Sequence, residues 1–389
     1  MHTYLLYPWW ILRQAARYSP SPPTPDPVDW PPVAVLMSVH NEALVLREKL
    51  DTLAGQDYAG RLDFYIGDDL STDATAGIMA QFAFFADNQH LYYSRNDHRL
   101  GKPGTINRLA RQAAGDHSVF ILTDASVMLR SNTITELVRP LLADAQLGLV
   151  DSRMVHTGAL VTGIGRTEEA YIHREVAIKQ AEGQVLGYPI GPFGGCWALR
   201  AEAFTPVPDN FLVDDFYLCM SAYRAGWRGL SSERAVVYEG VGQRLDQEFR
   251  RKVRIGSGNW QNLVEFSELW WPPHRGPLAF ALFSHKILRW LTPLFLLLLA
   301  VCLLLLYRAG GNYWAGLLLT TAVGMTLLTV LLDGALSRCG VHLAPLRSLH
   351  YFLAMNAALL VGFARYLTGI HSNVWQPSSR LPPRPNGPP

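Results

Sequence analysis

Residues 291–307 and 309–332 contain no charged side chain, and both runs are dominated by leucine and other apolar residues. A helix needs about 20 mostly apolar residues to cross the hydrocarbon core of a bilayer. The second run meets that length, and the first reaches it by borrowing residues around Arg289. A third run, 348–364, is broken by His350 and Asn356, and predicts either a third span or a re-entrant or interfacial helix. Whatever else this chain contains, it must present these helices to lipid or to each other.

Charge divides at the same place. From Arg275 onward there are nine Lys/Arg and a single acid, Asp333, whereas the first 274 residues carry 25 Lys/Arg against 31 acids. A net charge of +2 overall gives no electrostatic footprint for nucleic acid, and no nucleic-acid partner is expected. The pattern is that of an acidic globular domain tethered to a membrane through a basic, apolar region. Lys286 and Arg289 beside the first span place its start in the cytosol, and the acidic domain with it, as an integral protein of the cytoplasmic membrane. The four cysteines have no Cys-x-x-Cys spacing, which argues against a disulfide framework or structural zinc and fits a reducing compartment. Near the N-terminus, Tyr7, Trp9 and Trp10 are expected to lie in the headgroup layer. Seven prolines between Pro20 and Pro32 predict a stiff extended linker.

The organisation that follows is an interfacial segment and linker at 1–32, a globular domain at 33–245, and an interfacial amphipathic region at 246–277. About three transmembrane helices at 278–370 and a tail at 371–389 complete it. Within the domain, β-rich runs at 33–39, 64–66, 91–94 and 119–123 alternate with helical stretches at 42–53, 72–85 and 104–114. Leu46, Leu50 and Leu53 share one helical face. Such alternation predicts an α/β fold with a mainly parallel sheet, followed by the C-terminal α-helical transmembrane region. In these sheets ligands bind beyond the carboxyl ends of the strands, and the polar clusters fall there: His40-Asn41-Glu42, Asp68 to Asp73, and Asp124-Ala125-Ser126.

Each cluster suggests a chemistry. Asp68 and Asp69 offer carboxylates to a nucleotide base and ribose. The stretch 99–107, with Arg99 and Lys102, is a glycine-rich turn entering a helix, able to approach and neutralise a diphosphate. Asp124 and Ser126 offer hard oxygen ligands to Mg²⁺ or Mn²⁺, and such a cation would reconcile an acidic domain with an anionic diphosphate. Asp214-Asp215 is a second acidic pair, and crowding of carboxylates raises a pKa in the way a general base requires. The basic stretch 244–254 suits anionic lipid or a diphosphate. The loop 186–195, rich in Gly and Pro, allows backbone to approach a sugar.

Taken in order, the segments Ser38-Val39-His40-Asn41-Glu42, Asp68-Asp69-Leu70-Ser71-Thr72-Asp73, Gly101-Lys102-Pro103-Gly104-Thr105-Ile106-Asn107, Thr123-Asp124-Ala125-Ser126, Gly194-Gly195-Cys196-Trp197-Ala198-Leu199-Arg200 and Asp214-Asp215 resemble the membrane-anchored family 2 glycosyltransferases of the GT-A fold, which include cellulose-synthase-like and other bacterial glycan-forming enzymes. The resemblance spans roughly 33–271. It implies inverting transfer of a sugar from a nucleotide diphosphate donor, usually UDP, with Mg²⁺ or Mn²⁺, to a lipid-linked or glycan acceptor at a lipid surface. By position it gives Glu42, Asp68 and Asp69 to the nucleoside, Lys102 and Arg99 to the base and diphosphate, and Asp124 to the first acid of the metal-binding Asp-x-Asp motif. It gives Asp215 to the general base, with Asp214 in support, and Arg251, Arg254, Gly194, Gly195 and Trp260 to the acceptor and diphosphate side.

Two departures stand out. Ser126 replaces the second acid of Asp-x-Asp, leaving one carboxylate fewer for a metal. In the region matching the Gln-x-x-Arg-Trp motif of processive synthases, Arg254 aligns with the arginine and Arg251 or Ile255 stands where the sugar-stacking Trp would be. That favours addition of one or a few sugars over a processive polysaccharide synthase; a weakened, nucleotide-binding membrane scaffold is the non-enzymatic alternative.

Overall fold

The structure is a computed structural model that describes residues 1–18, 27–82, 86–158, 165–240 and 245–370. The expected tail at 371–389, Arg244, and most of the proline-rich linker lie outside the described residues. Eight strands form one sheet: β1 (Val33–Val39), β2 (Leu62–Asp68), β3 (Gln89–Arg95), β4 (Val119–Thr123), β5 (Val127–Leu129), β6 (Leu147–Thr157), β7 (Cys196–Arg200) and β8 (Arg228–Gly240), in the order β3-β2-β1-β4-β7-β6-β8-β5. The first four are parallel. β7 runs antiparallel to both β4 and β6, β8 is parallel to β6, and β5 is antiparallel to β8. The architecture is therefore a mixed α/β sheet, parallel where the expected strands lie and mixed beyond them.

The helices are α1 (Tyr7–Ala15), α2 (Leu46–Ala54), α3 (Thr75–Gln81), α4 (Gly101–Ala113), α5 (Thr133–Ala143), α6 (Gly165–Leu186), α7 (Asp214–Arg224) and α8 (Leu245–Glu265). β1 reads as a continuous apolar run because both its faces are covered. Val33, Val35, Met37 and Val39 join one core layer with Leu46, Leu50 and Leu53 of α2, and Ala34 and Leu36 join the other with Ile106 and Leu109 of α4. The glycine-rich stretch expected as a turn is instead helical from Gly101, whose positive φ of 71° swings the chain into α4. Lys102 thus rides on a helical first turn.

Three further helices are long and apolar enough to cross a membrane: Pro277–Gly310, Tyr313–Arg338 and Ala344–Leu367. The first ends later than the uncharged run suggests, because Gly311 takes a left-handed conformation and the Asn312 side chain caps the next helix by accepting from the Ala315 amide at 3.1 Å. The third lies along α8, backbone against backbone. A Cβ built on Gly362 would fall 2.8 Å from the Val253 carbonyl oxygen, and Ser257 Oγ donates to the Gly362 carbonyl at 3.0 Å.

Tyr7 packs inside the protein rather than on its surface. It is core, 1% exposed, and its hydroxyl donates to Glu182 of α6 at 2.8 Å; Trp9 alone of the three aromatics is exposed. A buried phenol needs an acceptor, and α6 supplies one. His285 lies 2.7 Å from the same carboxylate. Lys286 and Arg289 turn inward to Glu175 of α6, at 2.8 and 2.6 Å. Removing one member of such a buried cluster strands the others. Glu175→Ala is expected to destabilise the protein by roughly 3–5 kcal/mol, read as early thermal unfolding and faster proteolysis at the junction of α6 with the first apolar helix. An unchanged unfolding midpoint would show that this joint contributes nothing.

Candidate active site

The ends of β1 and β4 and the first turns of α4 and α7 meet around one cleft of about 800 Å³. Its inner wall carries Glu42, Lys102, Asp124, Ser126, Asp214 and Asp215. Residues far apart in sequence converge here because parallel strands end on the same edge and each helix begins there. Lys102 Nζ sits 2.8 Å from Asp124 Oδ1 and 3.5 Å from Asp214 Oδ2. Burial opposes its charge, but Asp124, Asp214 and Asp215 outweigh that and hold its pKa well above the usual lysine value.

Asp215 behaves in the opposite way. Burial and the neighbouring Asp214 charge push its carboxyl up to about 6, against Lys102 and a hydrogen bond from the Phe216 amide. Gly194 explains how the 186–195 loop is used: its backbone packs against Asp215, so that a Cβ there would stand 2.2 Å from Asp215 Oδ2, and its φ is +77°. The glycine thus lets the chain approach the acid. Gly195 lies behind the wall; its carbonyl accepts from the Asp124 amide at 3.0 Å and from Thr123 Oγ1 at 2.9 Å.

Asp69 is committed to holding the loop. It accepts from Asn96, Arg99 and the amides of Leu100 and Gly101 at 2.7–3.0 Å, and these donors outweigh burial to keep its carboxyl below the usual range. It caps α4 and so sets the position of Lys102. Arg99, paired with Asp69, belongs to the same support. Asp68 accepts from the Ser71 amide at 2.7 Å and from Tyr93 Oη at 2.9 Å. None of Asp68, Asp69 and Arg99 lines the cleft, whereas Glu42 does.

On the outer wall, Arg254 donates to the Leu212 carbonyl at 3.0 Å and Arg251 approaches Glu168 and Glu248; both line the cleft, with Ile255. Trp260 does not. Its ring packs against Phe363 and Tyr366 of the third apolar helix, at centroid distances of 4.5 and 6.4 Å. Lys49 is a residue the sequence reading missed. It is fully buried beneath the site, bonded to Thr123 Oγ1 at 2.7 Å and the Val127 carbonyl at 2.6 Å, and burial draws its pKa down to about 8. The signal was available, since Lys49 stands on the apolar stripe of Leu46, Leu50 and Leu53.

Among the described residues no group of three or more His, Cys, Asp or Glu side chains gathers as metal ligands. The oxygen donors Asp124 and Ser126 nevertheless share a wall, and two carboxylates from different elements already converge on one positive charge. That chemistry fits a hard divalent cation.

Residues 34–205 match the family described as "Glycosyl transferase family 2". An N-acetylglucosaminyltransferase of Mesorhizobium japonicum is 24% identical over 260 residues, covering 63% of this chain and 59% of that protein. A beta-monoglucosyldiacylglycerol synthase of Synechocystis is 24% identical over 275 residues, covering 68% and 56%. The matched region thus spans under two thirds of these relatives' lengths. Among solved structures, a mannosyltransferase from Pyrobaculum calidifontis in complex with GDP-Man and Mn²⁺ superposes with a TM-score of 0.66 at 24% identity, over 93% of this chain and 94% of that one; at that identity the likeness speaks to fold.

Proposed function

Because the chain carries a glycosyl transferase family 2 domain with a GT-A-like fold, we propose that it is an inverting glycosyltransferase that moves a sugar from a nucleotide diphosphate, a UDP-sugar, to a membrane-associated lipid or glycan acceptor, one or a few sugars at a time. The observation that carries this reading is the convergence of Lys102, Asp124, Asp214 and Asp215 on one cleft that also reaches the third apolar helix.

The roles follow from position. Asp215, half-buried and basic near neutrality, accepts the proton of an acceptor hydroxyl, and Asp214 keeps its proton affinity high. Lys102 and Arg254, both on the cleft wall, supply positive charge to the departing diphosphate. Asp124 and Ser126 would hold a Mg²⁺ or Mn²⁺ ion, which when bound neutralises the diphosphate. Attack from the face opposite the leaving group inverts the anomeric centre. Arg251 and Ile255 on the wall, with Trp260 turned away, support short additions over a processive polymer. A cytosolic placement is supported by Arg338 and Arg347, which flank the turn between the second and third apolar helices.

The test is a titration of UDP and GDP into the detergent-purified full chain, with and without Mn²⁺. Binding is expected to require the metal and to weaken at least tenfold in Asp124→Ala. If no nucleotide binds under any metal condition, the transferase reading fails and a scaffold role replaces it.

A further inference from the structure

Lys49 stands on the apolar face of α2 with Leu46, Leu50 and Leu53, and is itself 0% exposed. Its ammonium makes no ion pair among the described residues; both of its hydrogen bonds go to uncharged oxygens, Thr123 Oγ1 at 2.7 Å and the Val127 carbonyl at 2.6 Å. A charge taken out of water without an opposite charge beside it is costly, and a methionine would fill the same space without that cost. Burial lowers the pKa only to about 8, so the group stays protonated at neutral pH. A side chain that breaks the pattern of its own core in this way marks a position kept for something other than stability.

What the two bonds hold is the turn that carries Asp124 and Ser126. Thr123 is the last residue of β4 and Val127 the first of β5, so one ammonium closes the turn from beneath. The Val127 amide closes it from within, donating to the Asp124 carbonyl at 3.3 Å. Thr123 passes the connection on. Having accepted from Lys49, its hydroxyl gives its own proton to the Gly195 carbonyl at 2.9 Å, and the Asp124 amide donates to that same carbonyl at 3.0 Å. Gly194, the preceding residue of the loop, is the one whose backbone lies against Asp215. A series of short contacts thus runs from Lys49 to the turn bearing Asp124 and Ser126 on one side and to the loop that abuts Asp215 on the other. Lys49 itself is not part of the cleft wall.

From this arrangement we infer that Lys49 is a positioning residue of the donor site: its ammonium fixes the Asp124–Ser126 turn against the Gly194–Gly195 loop, so that the oxygens facing a divalent cation and the Asp215 carboxylate share one geometry. The inference rests on the transferase reading and deepens it. An ammonium has three protons to donate, whereas a hydroxyl in its place has one and could close only one end of the turn. Hydrogen bonds from a charged donor are also about twice as strong as neutral ones. Binding constellations work when they are held within about 0.5 Å of their productive geometry by packed supporting residues, and Lys49 supplies that hold from a helix anchored in the core.

The experiment sets Lys49→Met and Thr123→Val beside the parent full chain in detergent, with UDP and GDP titrations in Mn²⁺, thermal unfolding, and hydrogen exchange of peptides covering the β4–β5 turn. Methionine keeps the volume and removes the ammonium; valine keeps the branched shape and breaks the link to Gly195. Both variants are expected to bind nucleotide with Mn²⁺ at least tenfold more weakly and to exchange the turn amides at least tenfold faster, with exchange in β1 and β2 unchanged. The EPR spectrum of Mn²⁺ held with nucleotide is expected to change shape in Lys49→Met. That variant is also expected to unfold no lower than the parent, because it removes a buried charge that has no ion-pair partner. A side chain that merely fills the core would change stability and leave binding by the folded molecule alone. Parental nucleotide affinity in both variants overturns the inference. So does a Lys49→Met protein that melts well below the parent with exchange raised across the whole sheet, which would make Lys49 an ordinary member of the core. A parent protein that binds neither nucleotide fails the transferase reading, and the inference falls with it; that outcome is distinct from parental binding that Lys49→Met leaves intact.

Discussion

Asp215→Asn is expected to lower turnover by about 10³-fold, within the range that removal of a general base produces, while leaving nucleotide affinity within about twofold. The substitution keeps shape and removes only the ability to take a proton. In the parent protein, activity is expected to fall as pH drops through about 6, the value to which burial and Asp214 raise this carboxyl. Stability runs the other way. A carboxyl whose pKa is raised on folding contributes stability that is present below its unfolded pKa and is lost as pH rises through about 6. At pH 7.5 the Asn variant should therefore melt above the parent, and at pH 4 the advantage should vanish. Steady-state kinetics with thermal melts at both pH values check this. An Asn variant that keeps a tenth of its turnover, or that melts lower at pH 7.5, removes Asp215 from the role of base.

Gly194→Ala carries the second large effect. Two penalties coincide there: a φ of +77°, which is strained for any residue with a Cβ, and a methyl group 2.2 Å from Asp215 Oδ2. The left-handed conformation accounts for about 1–2 kcal/mol. The overlap must then displace either the loop or the Asp215 carboxylate, and a misplacement of about 1 Å at a catalytic group lowers rates by about 10². Loss of at least 100-fold in turnover is expected, with a lowered unfolding midpoint. Gly226→Ala is the control, because Gly226 has φ +95° and no atom within 4 Å of its built Cβ. Strain alone should leave Gly226→Ala active. If the two variants behave alike, the contact between loop and acid has no consequence for catalysis.

Much of this was legible in the chain itself. The continuous apolar run of β1, the leucine face of α2 and the uncharged C-terminal runs are local patterns, and each strand end with its polar cluster is where the alternation places it. The second half of the sheet was not legible in the same way. β7 pairs with β4 through a register between Cys196–Arg200 and Val119–Thr123, and no local pattern reveals the direction of a partner some 75 residues away. The acids show the same division. Asp124 and Asp215 lie on the cleft, as their positions after β4 and at the start of α7 suggest. Asp69 resembles a ligand-binding carboxylate in sequence but is saturated by loop donors that only the folded chain brings together. Trp260 sits on α8, where both faces are claimed, one by the cleft and one by the third apolar helix; periodicity alone does not say which face is which. Tyr7 likewise found its partner 175 positions away.

The glycine contact between α8 and the third apolar helix has a consequence for where the reaction takes place. With Gly256 and Gly362 in near-touching backbones, α8 has no room to slide or tilt independently of that helix. α8 also carries Arg251 and Arg254 on the cleft wall. With these helices in a bilayer, the cleft would be held at a set elevation above the lipid, like a tool mounted on a fixed stand. Changing hydrocarbon thickness tilts apolar helices at a small energy per ångström, and here a tilt would raise or lower the wall of the cleft itself. On the proposed transferase function, bilayer thickness would then become a variable of the chemistry, selecting acceptors by the height at which they present a hydroxyl.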